Sequence, residues 1–211
     1  MVDLQHDPFD LIIIKQKVIP DEHIDELMLL TPNNKGVQQA SVINRDDDGN
    51  DIAKESLENR NTLWYSIPEE QNKKLEICIS DMFARFCVPK YNCEFASYDP
   101  CQFLGYPVGG HYVTHNDAES FHDNKWCRVA PRDVSFIFYL NSEFGGGELE
   151  FPKLGLTIKP KKGMMIIFPS YKEFAHKVHP VTWGHRYTLV SWVGTKQKLY
   201  DTFPTERIPK S

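Results

Sequence analysis

Residues 133–169 read DVSFIFYLNSEFGGGELEFPKLGLTIKPKKGMMIIFP, and the texture of this stretch decides the fold class. Short runs rich in Val, Ile, Leu, Phe and Thr recur at 134–140, 148–151, 155–159 and 164–168, punctuated by glycine, proline and lysine. Such runs have strand length and are too short for helices that must each bury a stripe. Working outward, the same pattern covers 93–98, 101–105 and 111–115 upstream, and 174–179 and 185–193 downstream. Closely spaced short strands with turn residues between them predict an all-β sandwich or barrel.

Before Pro89 the texture differs. Leu11, Ile12, Ile13 and Ile14, followed by Val18, read as a strand. Pro20, Asp21 and Glu22 then open an amphipathic helix whose buried stripe is Ile24, Leu27, Met28 and Leu30. A second helix is expected from Pro68 to about Phe86, because Leu75, Ile79, Met82, Phe83 and Phe86 recur at helical spacing behind a proline suited to a first turn. Residues 31–61 are polar and predicted to be a mobile surface excursion. The fold class is therefore mainly β with flanking helices, a jelly-roll (double-stranded β-helix) buttressed by N-terminal helices. The expected organisation is one domain over 1–211, with an N-terminal strand, helices and polar loop (1–92), a jelly-roll core (93–193) and a C-terminal tail (194–211).

Composition narrows the function classes. A chain of 211 residues with 41% hydrophobic and 25% charged side chains suits one compact domain. A net charge of −5 argues against broad attraction to phosphate backbones, so a nucleic-acid partner is not expected. No apolar run approaches the ~20 residues of a spanning helix, so no membrane partner is expected either. The five cysteines, Cys78, Cys87, Cys93, Cys101 and Cys127, are odd in number and form no CxxC pair. With no leader pattern over Met1–Asp7, free thiols and a cytoplasmic location are expected.

His115, Asn116 and Asp117 form an H-x-D. On an extended chain its first and third side chains share a side, so an imidazole and a carboxylate can grip one cation. About one chance match is expected in a chain of this composition, so the downstream segment from Phe174 to Tyr187 must carry the weight. There His176, with His179 and His185 as competitors, offers a third ligand, and two histidines with one carboxylate leave open positions for non-haem Fe(II) oxygen chemistry. Arg186 lies ten residues beyond His176, an even offset that keeps both on one face if the chain stays extended. A guanidinium deep in a barrel wants a carboxylate, which a dicarboxylate co-substrate would supply. A rival motif, Asn44, Asp46, Asp48, Gly49, Asn50 and Glu55, loosely matches a calcium loop, against the plainer reading of a solvated acidic loop. Gly145–Gly147 read as a turn needing positive φ, and Trp192 and Phe168 as barrel interior.

Taken together these motifs resemble the 2-oxoglutarate- and Fe(II)-dependent dioxygenases, specifically the prolyl 4-hydroxylase group. Tyr106, Gly109, Tyr112, His115 and Asp117 reproduce Y-x-x-G-x-x-Y-x-x-H-x-D, and Arg132, Ser135, Tyr139, Leu140 and Asn141 resemble R-x-x-[ST]-x-x-x-Y-L-N. Gly146 to Phe151 match G-G-x-L-x-F, and the segment from His176 to Arg186 matches H-x-V-x-P-V-x-x-G-x-R. The resemblance implies iron ligands at His115, Asp117 and His176, and binding of 2-oxoglutarate by Arg186 with Tyr106 and Tyr139. It also implies Arg132 at the entrance as the catalytic-site residue that contacts substrate. The cofactor set would be Fe(II), 2-oxoglutarate as co-substrate and O2, with ascorbate as reductant. The implied activity is hydroxylation of a proline in a peptide or protein, with release of succinate and CO2; a small-molecule hydroxylase of the same superfamily is the runner-up. A nucleic-acid demethylase would carry a second arginine six residues after the first, where this sequence has Trp192. The segment from Ala118 to Pro131 matches nothing and is expected to be a mobile loop that closes over substrate.

Overall fold

The computed structural model describes residues 8–31, 36–45, 51–54, 56–122, 124–197 and 199. Two antiparallel sheets face each other as a jelly-roll. The larger has seven strands, in spatial order Ile13–Lys15, Met165–Pro169, Val134–Tyr139, Arg186–Thr195, Phe95–Tyr106, Leu63–Tyr65 and Gln38–Gln39. The smaller has five, in the order Leu156–Ile158, Leu149–Phe151, His176–Val178, His111–His115 and Arg60–Asn61. Every residue of Val134–Tyr139 and of Met165–Pro169 is buried, which explains why these central strands read as unbroken apolar runs instead of alternating ones.

The helices behave as their periodicity requires. Asp21–Met28 buries Ile24 and Leu27, and Glu69–Met82 buries Leu75, Ile79 and Met82. The second helix begins after Pro68, widens to a π turn over Phe83–Cys87 and finishes as Val88–Tyr91, where Asn92 adopts left-handed geometry. Among the described residues no helix is long and apolar enough to cross a membrane.

Four expectations change. The strands expected at 93–98 and 101–105 are one twelve-residue strand, Phe95–Tyr106; Pro100 does not break it because the pairing with Arg186–Thr195 shifts register there, between Val190 and Trp192. The polar excursion of 31–61 contains strands: Gln38–Gln39 and Arg60–Asn61 extend the edges of the two sheets, and Val42–Arg45 pairs with Asp51–Lys54. Edge pairing draws on backbone N–H and C=O groups and needs no apolar side chains, so composition concealed it. The first residue of the calcium-like motif, Asn44, thus sits on a paired strand opposite Ile52; residues 46–50 and Glu55 lie outside the described residues. The segment 118–131 is a hairpin, Glu119–His122 paired with Lys125–Arg128, and not a structureless loop.

The glycine turn is as expected at two of its three positions. Gly146 and Gly147 have φ of +70° and +66°, whereas Gly145 is paired with Trp183, whose indole leaves no room for a Cβ. At Gly147 a Cβ would stand 2.9 Å from Arg186 Cδ. Gly147→Ala is therefore expected to destabilise the fold by about 1 kcal/mol or more and to displace the Arg186 side chain. Thermal unfolding, together with the affinity of the Arg186 site for small dicarboxylates, measures both effects.

Candidate active site

The strand His111–His115 ends at its last residue, and Asp117 lies just beyond, tethered by its N–H and that of Ala118 to the Ser170 carbonyl (3.3 and 3.1 Å). The strand His176–Val178 pairs with it, and His176 stands opposite His115. His115 Nε2 is 3.7 Å from Asp117 Oδ1, and His176 Nε2 is 3.8 Å from Asp117 Oδ2. The three potential ligand atoms lie within 4.8 Å of one another. Each imidazole is turned by the same device: Nδ1 donates to the carbonyl two residues upstream, Val113 for His115 (2.9 Å) and Phe174 for His176 (3.1 Å). Both Nε2 atoms are thereby turned toward Asp117.

Burial, and then the neighbouring His176, push the His115 imidazole down to about 3, so it is neutral and a competent donor at pH 7. Burial raises the Asp117 carboxyl, but His176, His115 and the Ser135 hydroxyl outweigh it and hold the group below the usual carboxylate range. Ser135 donates to Asp117 Oδ2 at 2.7 Å and shares a 2.8 Å hydrogen bond with Ser170. Fully buried, this serine pair fixes the carboxylate that faces the histidines. Ser135→Ala is expected to weaken divalent metal affinity by ~10–100-fold, measured by metal titration, while Ser135→Thr retains it.

Arg186 follows on the opposite sheet, paired in register with Tyr106. Only 1% exposed, it has Nε and Nη1 buried without a hydrogen-bond partner. Its Nη2 reaches the Tyr139 hydroxyl at 3.4 Å, and Cζ lies 4.4 Å from the centre of the Tyr106 ring. Burial raises the Tyr139 phenol, with Arg186 opposing, so the hydroxyl stays protonated and can donate to an anion held by the guanidinium. His176 and Arg186 do not share a face of one strand, as the even offset suggested. Trp183 and Gly184, expected as a turn, belong to a separate strand, Val181–Gly184, paired with Phe144–Gly146, that lies between the strands of His176 and Arg186; those two strands are in different sheets, and both side chains line one cavity.

That cavity, about 780 Å3, is lined by the triad, Tyr106, Arg132, Arg186, Tyr112, Trp126 and Trp192, among others. Tyr139 stands behind it, against Arg186. Arg132 is held in place: Nε donates to Asp99 (2.7 Å), Nη1 to the Asp117 carbonyl (3.3 Å), and Cζ sits 3.8 Å from the centre of the Trp192 ring. Trp192, expected as anonymous interior, is thus a wall of the site. His179 is excluded as a ligand because its Nε2 is engaged 2.6 Å from Glu150, and His185 is exposed and turned toward Tyr187. Sequence reasoning did not single out Arg60, Asp99 and Trp126 because their roles arise from strands far apart in the chain.

A His–carboxylate–His cluster matched by a buried guanidinium with two open nitrogens fits a non-haem Fe(II) and a dicarboxylate beside it. A family model described as the 2OG-Fe(II) oxygenase superfamily matches residues 101–194, which carry His115, Asp117, His176 and Arg186. Over those residues the chain is similar to the 2OG-Fe(II) oxygenase superfamily. Within it the likeness runs to prolyl hydroxylases. The chain is 25% identical over 150 residues to a putative prolyl 4-hydroxylase of Acanthamoeba polyphaga mimivirus, covering 65% of this chain and 58% of that protein. It is 41% identical over 74 residues to mouse prolyl 3-hydroxylase 2, covering 33% of this chain but 10% of that protein. The chain therefore spans little more than half of the first relative and a small part of the second. Its fold is similar to that of a viral collagen prolyl hydroxylase from Paramecium bursaria Chlorella virus-1 (TM-score 0.62, 22% identity, 87% of this chain and 94% of that one). It is similar also to a Trichoplax adhaerens prolyl hydroxylase in complex with a hypoxia inducible factor peptide (TM-score 0.68, 18% identity, 92% and 88%).

Proposed function

We propose that this protein is a prolyl hydroxylase that uses Fe(II), O2 and 2-oxoglutarate to hydroxylate a proline within a peptide or protein, releasing succinate and CO2. The observation that carries the reading is Arg186: a buried guanidinium whose Nε and Nη1 have no partner, opening on the cavity that holds His115, Asp117 and His176. Such a group is costly unless an anion completes it. His115, Asp117 and His176 would hold Fe(II), which supplies, with O2 and the keto acid, the oxidant for an unactivated C–H bond. Arg186 binds the far carboxylate of the keto acid in its planar fork, and the Tyr139 hydroxyl donates beside it without adding charge. Arg132, immobilised by Asp99 and stacked on Trp192, presents a fixed cation at the wall next to Asp117 and orients the substrate.

The cavity is roomy for a keto acid alone, and its aromatic walls Tyr112, Trp126 and Trp192 suit a proline ring in an extended chain. The fixed φ of proline lowers the entropy lost on docking there. The names of the mimiviral relative and of the two structural neighbours point the same way. The test is mass spectrometry of proline peptides and of free proline after incubation with Fe(II), 2-oxoglutarate and ascorbate as reductant. A gain of one oxygen on peptides, matched by succinate, is expected; oxygenation of free small molecules alone would overturn the reading.

A further inference from the structure

Arg60 lies on the edge strand Arg60–Asn61 of the smaller sheet, lines the same cavity and is 9% exposed. Its Nη1 donates to the Ser41 carbonyl at 2.9 Å, and its Cζ sits 4.7 Å from the centre of the Tyr112 ring. That ring in turn stacks on His115 at 3.5 Å and 17°. Arg60 Nε is buried and donates to nothing, and among the described residues no carboxylate pairs with the guanidinium. The other cations lining the cavity are accounted for. Arg132 is on Asp99, Lys172 is 3.1 Å from Glu173, Lys153 is exposed to solvent, and Arg186 belongs to the keto acid in the reading above.

We propose that Arg60 is an anion subsite of the cavity that takes a carboxylate of the substrate close to the residue oxidised. The inference rests on the hydroxylase reading and deepens it by naming an acidic substrate. Packing on Tyr112 and tethering of Ser41 do not require an open buried N–H, and burying a guanidinium in that state is unfavourable until an acceptor arrives. With Nη1 tied to Ser41, the edge formed by Nε and Nη2 is left to receive both oxygens of one carboxylate, a geometry a lysine could not offer. Only one ring, that of Tyr112, stands between the guanidinium and His115 of the metal-ligand cluster. At ~3.3–3.6 Å per extended residue, the acidic group falls within about three residues of the oxidised one.

The experiment uses proline peptides in matched pairs, Asp against Asn and Glu against Gln, at each position up to three residues either side of the proline. Each is made with a free and with an amidated C-terminus, which separates a side-chain carboxylate from a terminal one. Binding is read by fluorescence anisotropy, independently of oxidation, and KM and kcat are read by oxygen incorporation. At one position the acid is expected to bind about tenfold or more tighter than its amide isostere, the difference falling in KM, and salt is expected to weaken the preference. Arg60→Gln should erase the preference, and Arg60→Glu should turn it toward a lysine at that position. Equal affinity of acid and amide at every position and terminus, in the unaltered protein, would overturn the subsite, as would a preference that survives Arg60→Gln. Acid-selective binding without any gain of oxygen would support the subsite and overturn the hydroxylase reading; oxygenation blind to acid would do the reverse.

Discussion

Replacing Asp117 by Ala is expected to abolish both Fe(II) binding and 2-oxoglutarate turnover. The carboxylate lies 3.7 and 3.8 Å from the Nε2 atoms of the two imidazoles, so its loss leaves the site without the negative charge that offsets the cation. The effect should exceed the ~10–100-fold typical of changes one shell further out, such as Ser135→Ala. His176→Ala should behave similarly, whereas His179→Ala should not, because His179 is paired with Glu150 away from the cluster. Metal content per chain and succinate release measure the outcome, with thermal unfolding as the control for folding. Wild-type turnover in Asp117→Ala would remove the triad, and loss in His179→Ala with retention in His176→Ala would move the third ligand.

Arg186→Ala should raise the KM for 2-oxoglutarate on the order of a hundredfold, as expected when one partner of a buried charge pair is truncated. Lysine should rescue only in part, since an ammonium cannot present two parallel N–H groups. The same residue makes an opposite prediction for stability. With Nε and Nη1 unsatisfied, the guanidinium burdens the protein when no keto acid is bound. Arg186→Met is therefore expected to match or exceed the wild-type Tm in the absence of 2-oxoglutarate. It should also lose the Tm rise that added keto acid gives the wild type through binding linkage. An unchanged KM would mean that another cation anchors the carboxylate.

How much was legible beforehand depended on what each feature requires. The buried central strands Val134–Tyr139 and Met165–Pro169 announce themselves because a strand covered on both faces must be apolar throughout. The helices did so through their spacing of Ile24 and Leu27 and of Leu75, Ile79 and Met82. The edge strands Gln38–Gln39 and Arg60–Asn61 and the hairpin Glu119–Arg128 were invisible, since their pairing is made by the backbone and any polar residue can take part.

The site divides along the same line. Local spacing and motif likeness pointed to His115, Asp117 and His176, which the fold brings within 4.8 Å of one another, because a metal demands particular donors and those donors sit in recognisable segments. Tertiary structure alone decided that His176 and Arg186 meet across a cavity from two different sheets, and that Arg132 is anchored by Asp99. It also decided that Arg60, 55 residues before His115, stacks behind it through Tyr112 with an open N–H. Residues that distant along the chain become neighbours through sheet pairing and closure of the jelly-roll, and no periodicity or spacing within one segment encodes that proximity.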